Sequence, residues 1–251
     1  MTKKIWITGA SSGIGRALAI KFSNEGWQVA ASARRENLLN DLNKNNPNIH
    51  AFVLDVKDEK SVRNVFQNIL KKFETLDICV FATGIHDPEA EKKLSSEKIR
   101  EIMETNFFGT LNCIMAVNSF FREKKDGHIA IVSSVAGYRG LPAASGYCAS
   151  KAALTSLAES LYFDFKRKNV KVSLISPGFI KTPMTDQNTF PMPMIKSPEF
   201  AAEQIYIGLI KKNGFEIHFP KILTYMMKFL RILPSSIYFR FLEKGMKKIN
   251  Y

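Results

Sequence analysis

Residues 4–27 read KIWITGASSGIGRALAIKFSNEGW. Lys4–Thr8 is a short apolar, β-branched run, the pattern of a buried strand. Gly9-Ala-Ser-Ser-Gly13-Ile-Gly15 follows, and then an amphipathic stretch closed by Gly26, the pattern of a helix. A strand, a glycine-rich turn and a helix in that order have the form of a dinucleotide site. The glycines let backbone N–H groups approach a pyrophosphate, and the helix start adds positive potential. The spacing is G-x-x-x-G-x-G rather than the commoner G-x-G-x-x-G, so the frame of strand and helix carries the reading.

The alternation continues outward from this unit. Strands are expected at Gln28–Ala33, His50–Leu54, Asp77–Thr83, Gly127–Ser134, Val170–Ser176 and Phe215–Phe219. Between them helices are expected over 36–45, Lys57–Phe73, from Ser95 or Ser96 through Asn106 toward Arg122, Ser145–Lys168 and Pro198–Lys212. Several strands are apolar on both faces, which predicts a mostly parallel sheet with helices on both sides. Right-handed crossovers then give a doubly wound, Rossmann-type α/β fold of seven strands. Ligands of such sheets bind at the carboxyl ends of the strands. Gly9–Gly15, Arg34, Asp55, Gly84, Ser134 and Pro177-Gly178 all fall there. Residues 1–219 are read as one domain, and 220–251 as a basic amphipathic extension packed on that domain, a partner or a membrane.

A second constellation lies in Ser133–Lys151, SSVAGYRGLPAASGYCASK. Tyr147 and Lys151 are four positions apart, so both leave one face of a helix. An ammonium beside a phenol favours the phenolate and lowers its pKa. Such a tyrosine exchanges a proton with an alcohol or ketone oxygen, and the Ser134 hydroxyl can hold that oxygen. At the end of the second strand, Ser32-Ala33-Arg34-Arg35 carries no carboxylate to bind ribose hydroxyls. An arginine there pairs with a 2′-phosphate, which favours NADP over NAD, with Arg34 ahead of Arg35.

The 251 residues are 45% hydrophobic and 24% charged, with three cysteines of no paired spacing (Cys79, Cys113, Cys148) and four scattered histidines. These features point to a soluble globular protein with free thiols and no metal site, in the cytoplasm. A strand that starts at Lys4 leaves no signal peptide, and no apolar run reaches the roughly 18 residues of a membrane span. The net charge is +13, and Lys211–Tyr251 carries +7 of it, nine Lys/Arg against Glu216 and Glu243. This tail reads as two short amphipathic helices broken at Pro234. It suits an interfacial helix on anionic lipid, a flap over a lipid-like substrate, a dimer contact or packing on the domain. No reading motif accompanies the charge, so nucleic acid is not expected.

With TGASSGIG at 8–15, Asn106, Ser134 and Tyr147-x-x-x-Lys151 in order, residues 3–219 resemble the short-chain dehydrogenase/reductase family, in its short single-domain branch. The resemblance implies that Tyr147 is the general acid in reduction and the base in oxidation. It implies that Lys151 lowers the tyrosine's pKa and holds the nicotinamide ribose, that Ser134 binds the substrate oxygen, and that Asn106 positions a water that relays protons through Lys151. The coenzyme would lie on Gly9, Ser11, Ser12, Gly13, Ile14, Gly15, Arg34, Asp55, Val56, Ala82, Gly84, Tyr147, Lys151, Pro177, Gly178, Ile180 and Thr182. Homodimers or homotetramers through the long helices are usual for the resemblance. Two departures stand out: Ala82-Thr83-Gly84 where the family often has Asn-Ala-Gly, and Ser12 where many NADP-dependent relatives carry Lys or Arg.

The expected activity is NADP(H)-dependent interconversion of a carbonyl and an alcohol on an apolar small molecule. Substrate contacts are expected from Tyr138–Gly146 and from the loop Phe179–Ile195, rich in Phe, Met and Pro. His86, just past Gly84, is read as a solvated loop histidine. Two alternatives are a non-catalytic NADP-binding sensor or scaffold, disfavoured by the intact proton donor, and a sugar-nucleotide epimerase, disfavoured by the glycine spacing and short C-terminal region.

Overall fold

The computed structural model describes residues 2–188, 192–212 and 214–247, with side chains as far as Glu243. Phe190 and Pro191 of the expected substrate loop lie outside the described residues. Strands β1 (Lys4–Thr8), β2 (Gln28–Ala33), β3 (Ile49–Val53), β4 (Ile78–Phe81), β5 (His128–Val132), β6 (Lys171–Pro177) and β7 (Glu216–Phe219) form one sheet. Its order is β3-β2-β1-β4-β5-β6-β7, and every neighbouring pair is parallel. The strand order reverses between β1 and β4, which opens a crevice at their carboxyl ends.

Successive residues along a strand face opposite layers, and here both layers are apolar. Ile5 and Ile7 pack with α1 (Gly13–Asn24), α2 (Glu36–Lys44) and α8 (Pro198–Ile207). Trp6, between them, packs on the other side with α3 (Glu59–Phe73), α6 (Gly109–Lys124) and α7 (Ser145–Lys166). Its indole N–H donates to Ser32 Oγ at 2.9 Å, so the burial leaves no orphan donor.

The helix expected to run unbroken from residue 95 to 122 is divided. It consists of α5 (Ser96–Met103), a wide π turn over Glu104–Phe108 and α6. Ser95 is the cap, accepting from the Lys98 N–H. The turn carries Asn106, whose side chain bonds to Ile85 and to Ser150 on α7. A short helix α4 (Pro88–Lys92), capped by Asp87, was not foreseen. Beyond β7, α9 (Lys221–Ile232) and α10 (Ser235–Lys247) flank Pro234. Leu223, Met227, Leu230 and Tyr238 bury against Val135 and Tyr138 of the main body. Among the described residues, no helix is long and apolar enough to cross a membrane.

Candidate active site

A cleft of about 430 Å³ opens at the β1/β4 reversal. One wall is the glycine-rich turn and the start of α1. Gly15 cannot carry a side chain, since a Cβ would stand 2.4 Å from the Gly9 carbonyl oxygen. A Cβ on Gly13 would reach to 2.9 Å from Thr182 on the opposite wall and close the space between. Ser12 at the N-cap makes no side-chain cap bond, and the first turn of α1 holds no acid. The positive end of this helix is therefore left for an anion. Arg35 lies across the turn, its Nη2 donating to Ser11 Oγ at 2.8 Å and Ser12 Oγ at 2.7 Å. Arg34 also lines the cleft and is exposed.

Ser11, Ile14, Asp55, Val56, Ala82, Gly84, Pro177, Gly178, Ile180 and Thr182 all line the same cleft. So does Thr105, unforeseen in the sequence, whose hydroxyl oxygen is buried without a hydrogen-bond partner. An orphan hydroxyl in a cleft wall is a place for a ligand's polar group. These residues fit a dinucleotide with a 2′-phosphate: close backbone, an uncompensated helix start, two arginines and a waiting hydroxyl.

Ser134, Tyr147 and Lys151 meet at the other end. Ser134 follows β5 with extended backbone, and its Oγ accepts from the Ala136 N–H at 3.1 Å. Tyr147 stands in the first turn of α7, and Lys151 one turn on. Lys151 is 4% exposed and donates to the Val132 carbonyl at 2.9 Å. Burial pushes its pKa down to about 8. Burial also pushes the Tyr147 phenol up to about 12, against the hydrogen bond from Ser134, which lowers it. The expectation of an acidified phenol does not hold in this arrangement. Desolvation is the largest cause of the shift, and the Lys151 Nζ is turned to the Val132 carbonyl, 5.6 Å from the Tyr147 ring centre.

Asn106 does not line the cleft. It is fully buried, and its amide is committed to Ile85 N (2.7 Å), Ile85 O (3.0 Å) and Ser150 Oγ (3.0 Å). It ties the cleft wall at Ile85 to the residue beside Lys151. His86 is not a solvated loop residue. Its side chain is 8% exposed, lines the cleft and packs on the Tyr147 ring with centres 4.7 Å apart. Its Nδ1 pairs with Glu91 Oε1 at 2.7 Å. Glu91 Oε2 accepts the Tyr147 backbone N–H at 3.0 Å. Ala144, at the N-cap of α7, has no acceptor side chain, so Glu91 caps this helix from outside. Tyr138 and Phe179, expected near substrate, instead pack under α9 and α10, and Tyr138 bonds Glu216. Met184 remains on the cleft.

A doubly wound sheet with a glycine-rich cradle at its β1/β4 reversal, and with Ser134, Tyr147 and Lys151 at one rim of the cleft, has the form of a Rossmann-type oxidoreductase. The short chain dehydrogenase family model matches residues 3–191, and the chain belongs to that family. It is 33% identical over 236 residues to an uncharacterised oxidoreductase of Myxococcus xanthus, covering 92% of this chain and 93% of that protein. Its fold superposes on a short-chain dehydrogenase from Streptomyces avermitilis with a TM-score of 0.84 at 25% identity, covering 100% of this chain and 97% of the other. The structure of ElxO with NADP bound gives a TM-score of 0.78 at 26% identity, over 87% of this chain and 98% of that one.

Proposed function

We propose that this oxidoreductase reduces the carbonyl of an apolar small molecule, with NADPH as hydride source and Tyr147 as proton donor. The observation that carries the reading is the single cleft holding an anion cradle with Arg34 and Arg35 at one end and Ser134 with Tyr147 at the other. NADP in the related ElxO structure supports the coenzyme choice. Bound in the cleft, the dinucleotide supplies the hydride. The chain supplies the rest. Arg34 and Arg35 would hold a 2′-phosphate, and the α1 start a pyrophosphate. Ser134 would donate to the substrate oxygen. A phenol at about 12 is protonated at neutral pH, the form that delivers a proton to a developing alkoxide. Lys151 would hold the ribose beside Gly84, and Asn106 would fix the cleft wall rather than meet the reacting atoms.

Exposed Met115 on α6 and Phe163 on α7 support pairing of two copies through these long helices. The activity is tested by NADPH and NADH oxidation against aldehydes and ketones of graded hydrophobicity. Turnover with NADPH in preference to NADH, rising with substrate hydrophobicity, is the expected result. NADPH binding without oxidation on any carbonyl would replace this reading with that of a sensor.

A further inference from the structure

The outer face of the C-terminal tail carries a feature that the cleft does not use. Helix α9 is apolar on two sides. Leu223, Met227 and Leu230 face the domain and are buried. Ile222, Tyr225, Met226, Phe229 and Ile232 face outward, with Ile222 72% and Ile232 76% exposed. Their spacing of three and four makes a continuous apolar stripe along a helix of three turns. α10 likewise buries Tyr238 and exposes Ile237, Phe239 and Phe241.

The charges beside this stripe have one sign. Lys221, Arg231 and Arg240 are exposed, and Glu243 is the only acid in the sequence of the two helices. Lys228 is taken up by Glu216 on β7. A second copy of this chain would set the same cations against one another, on a chain of net charge +13. An anionic lipid surface satisfies both the apolar stripe and the cations flanking it.

The helices that carry the stripe are braced against the main body. Arg139 Nη1 donates to the carbonyls of Leu230 (2.7 Å) and Leu233 (2.8 Å), at the C-terminal end of α9. Its guanidinium stacks 4.0 Å from the Tyr238 ring, and the Tyr238 hydroxyl donates to the Gly140 carbonyl. Both helices are thus fastened to residues 138–140, which lie between Ser134 and Tyr147 in the chain.

We infer that the outward face of α9, with α10, is a docking surface for an anionic membrane, on which the protein lies peripherally. The basis is the juxtaposition of a second apolar stripe with Lys221, Arg231 and Arg240, which form no ion pair among the described residues, on a braced helix. This inference stands independently of the substrate.

The test is flotation of the full chain with phosphatidylcholine vesicles and with mixed phosphatidylcholine/phosphatidylserine vesicles, beside sedimentation of the protein alone. The expected result is flotation with the mixed vesicles, weakened by salt, and little with phosphatidylcholine alone. Ile222→Ser/Phe229→Ser/Ile232→Ser, all at exposed positions, should abolish it while leaving the melting temperature unchanged. A second variant, Lys221→Gln/Arg231→Gln/Arg240→Gln, should lower the partition coefficient by roughly a hundredfold, the loss of three surface attractions. Wild-type protein that floats with neither vesicle, or either variant floating like wild type, would overturn the inference. So would a serine variant that turns wild-type dimers into monomers without any flotation by either, which would assign the face to a second copy.

Discussion

Replacing Glu91 tests whether the proton donor is positioned from outside its own helix. The Glu91 side chain is fully buried, and its two oxygens serve His86 Nδ1 and the Tyr147 N–H. Glu91→Ala removes both acceptors and leaves a partly buried N–H of the first turn of α7 without a partner, since Ala144 offers none. An unsatisfied buried donor costs about 1–3 kcal/mol, and a lost cap about 1 kcal/mol of the same interaction, so a loss of about 2–3 kcal/mol is expected. For a chain of this length that corresponds to a fall of about 4–12 °C in melting temperature. Glu91→Gln keeps one acceptor oxygen and should cost less than half as much. Turnover should fall further than stability suggests, because a misplacement of about 1 Å at the reacting group can cost on the order of 100-fold. The assay pairs thermal unfolding with initial rates over a range of NADPH, in which turnover is read at saturation and KM for the coenzyme should stay near wild type. A Glu91→Ala protein with wild-type melting and wild-type turnover would refute the capping argument, and a rise in coenzyme KM alone would place Glu91 in the dinucleotide cradle instead.

Arg34→Ala/Arg35→Ala should weaken NADPH far more than NADH, by roughly 10–100-fold in KM for loss of charge-assisted bonds to phosphate; equal losses for both coenzymes would contradict it. Lys151 has its folded pKa lowered from 10.5 to about 8, so the unfolded chain binds the extra proton between those values. Stability from this group should therefore rise with pH from about 8 to 10.5, and the melting temperature of wild type relative to Lys151→Met should climb across that window. Tyr147, raised from 10.0 to about 12, acts in the opposite sense above pH 10, where wild type should lose ground relative to Tyr147→Phe. Met115→Glu/Phe163→Glu should yield monomers in sedimentation without loss of melting temperature if the long helices pair two copies.

The order of the elements was legible because glycine and proline punctuate it. β1 and β2 fall on the residues expected, since Gly9 ends one and Gly26 precedes the other. The break at 104–108 was not legible. Gly109 closes it, but a glycine after an apolar helical run does not announce a wide turn, and the Asn106 amide within it is held by Ile85 and Ser150, 21 and 44 residues away. Glu91 was hidden for a related reason. It sits in a short run of charged residues where the sequence suggests no element, and its second partner is 56 positions distant. Spacing placed Tyr147 and Lys151 on one face but carried no measure of burial, and burial sets the sign of the phenol's shift. The tail's two helices and the break at Pro234 were readable, whereas the sharing of apolar residues between an inner and an outer face of α9 needed the packing of Leu223 and Met227.

The most direct test of the central claim is Tyr147→Phe at saturating NADPH and carbonyl substrate, with coenzyme binding followed separately by fluorescence. The account predicts intact NADPH binding and a turnover lowered by about 100–10,000-fold, the worth of a positioned proton donor. Wild-type turnover from the phenylalanine variant would show that the proton comes from elsewhere.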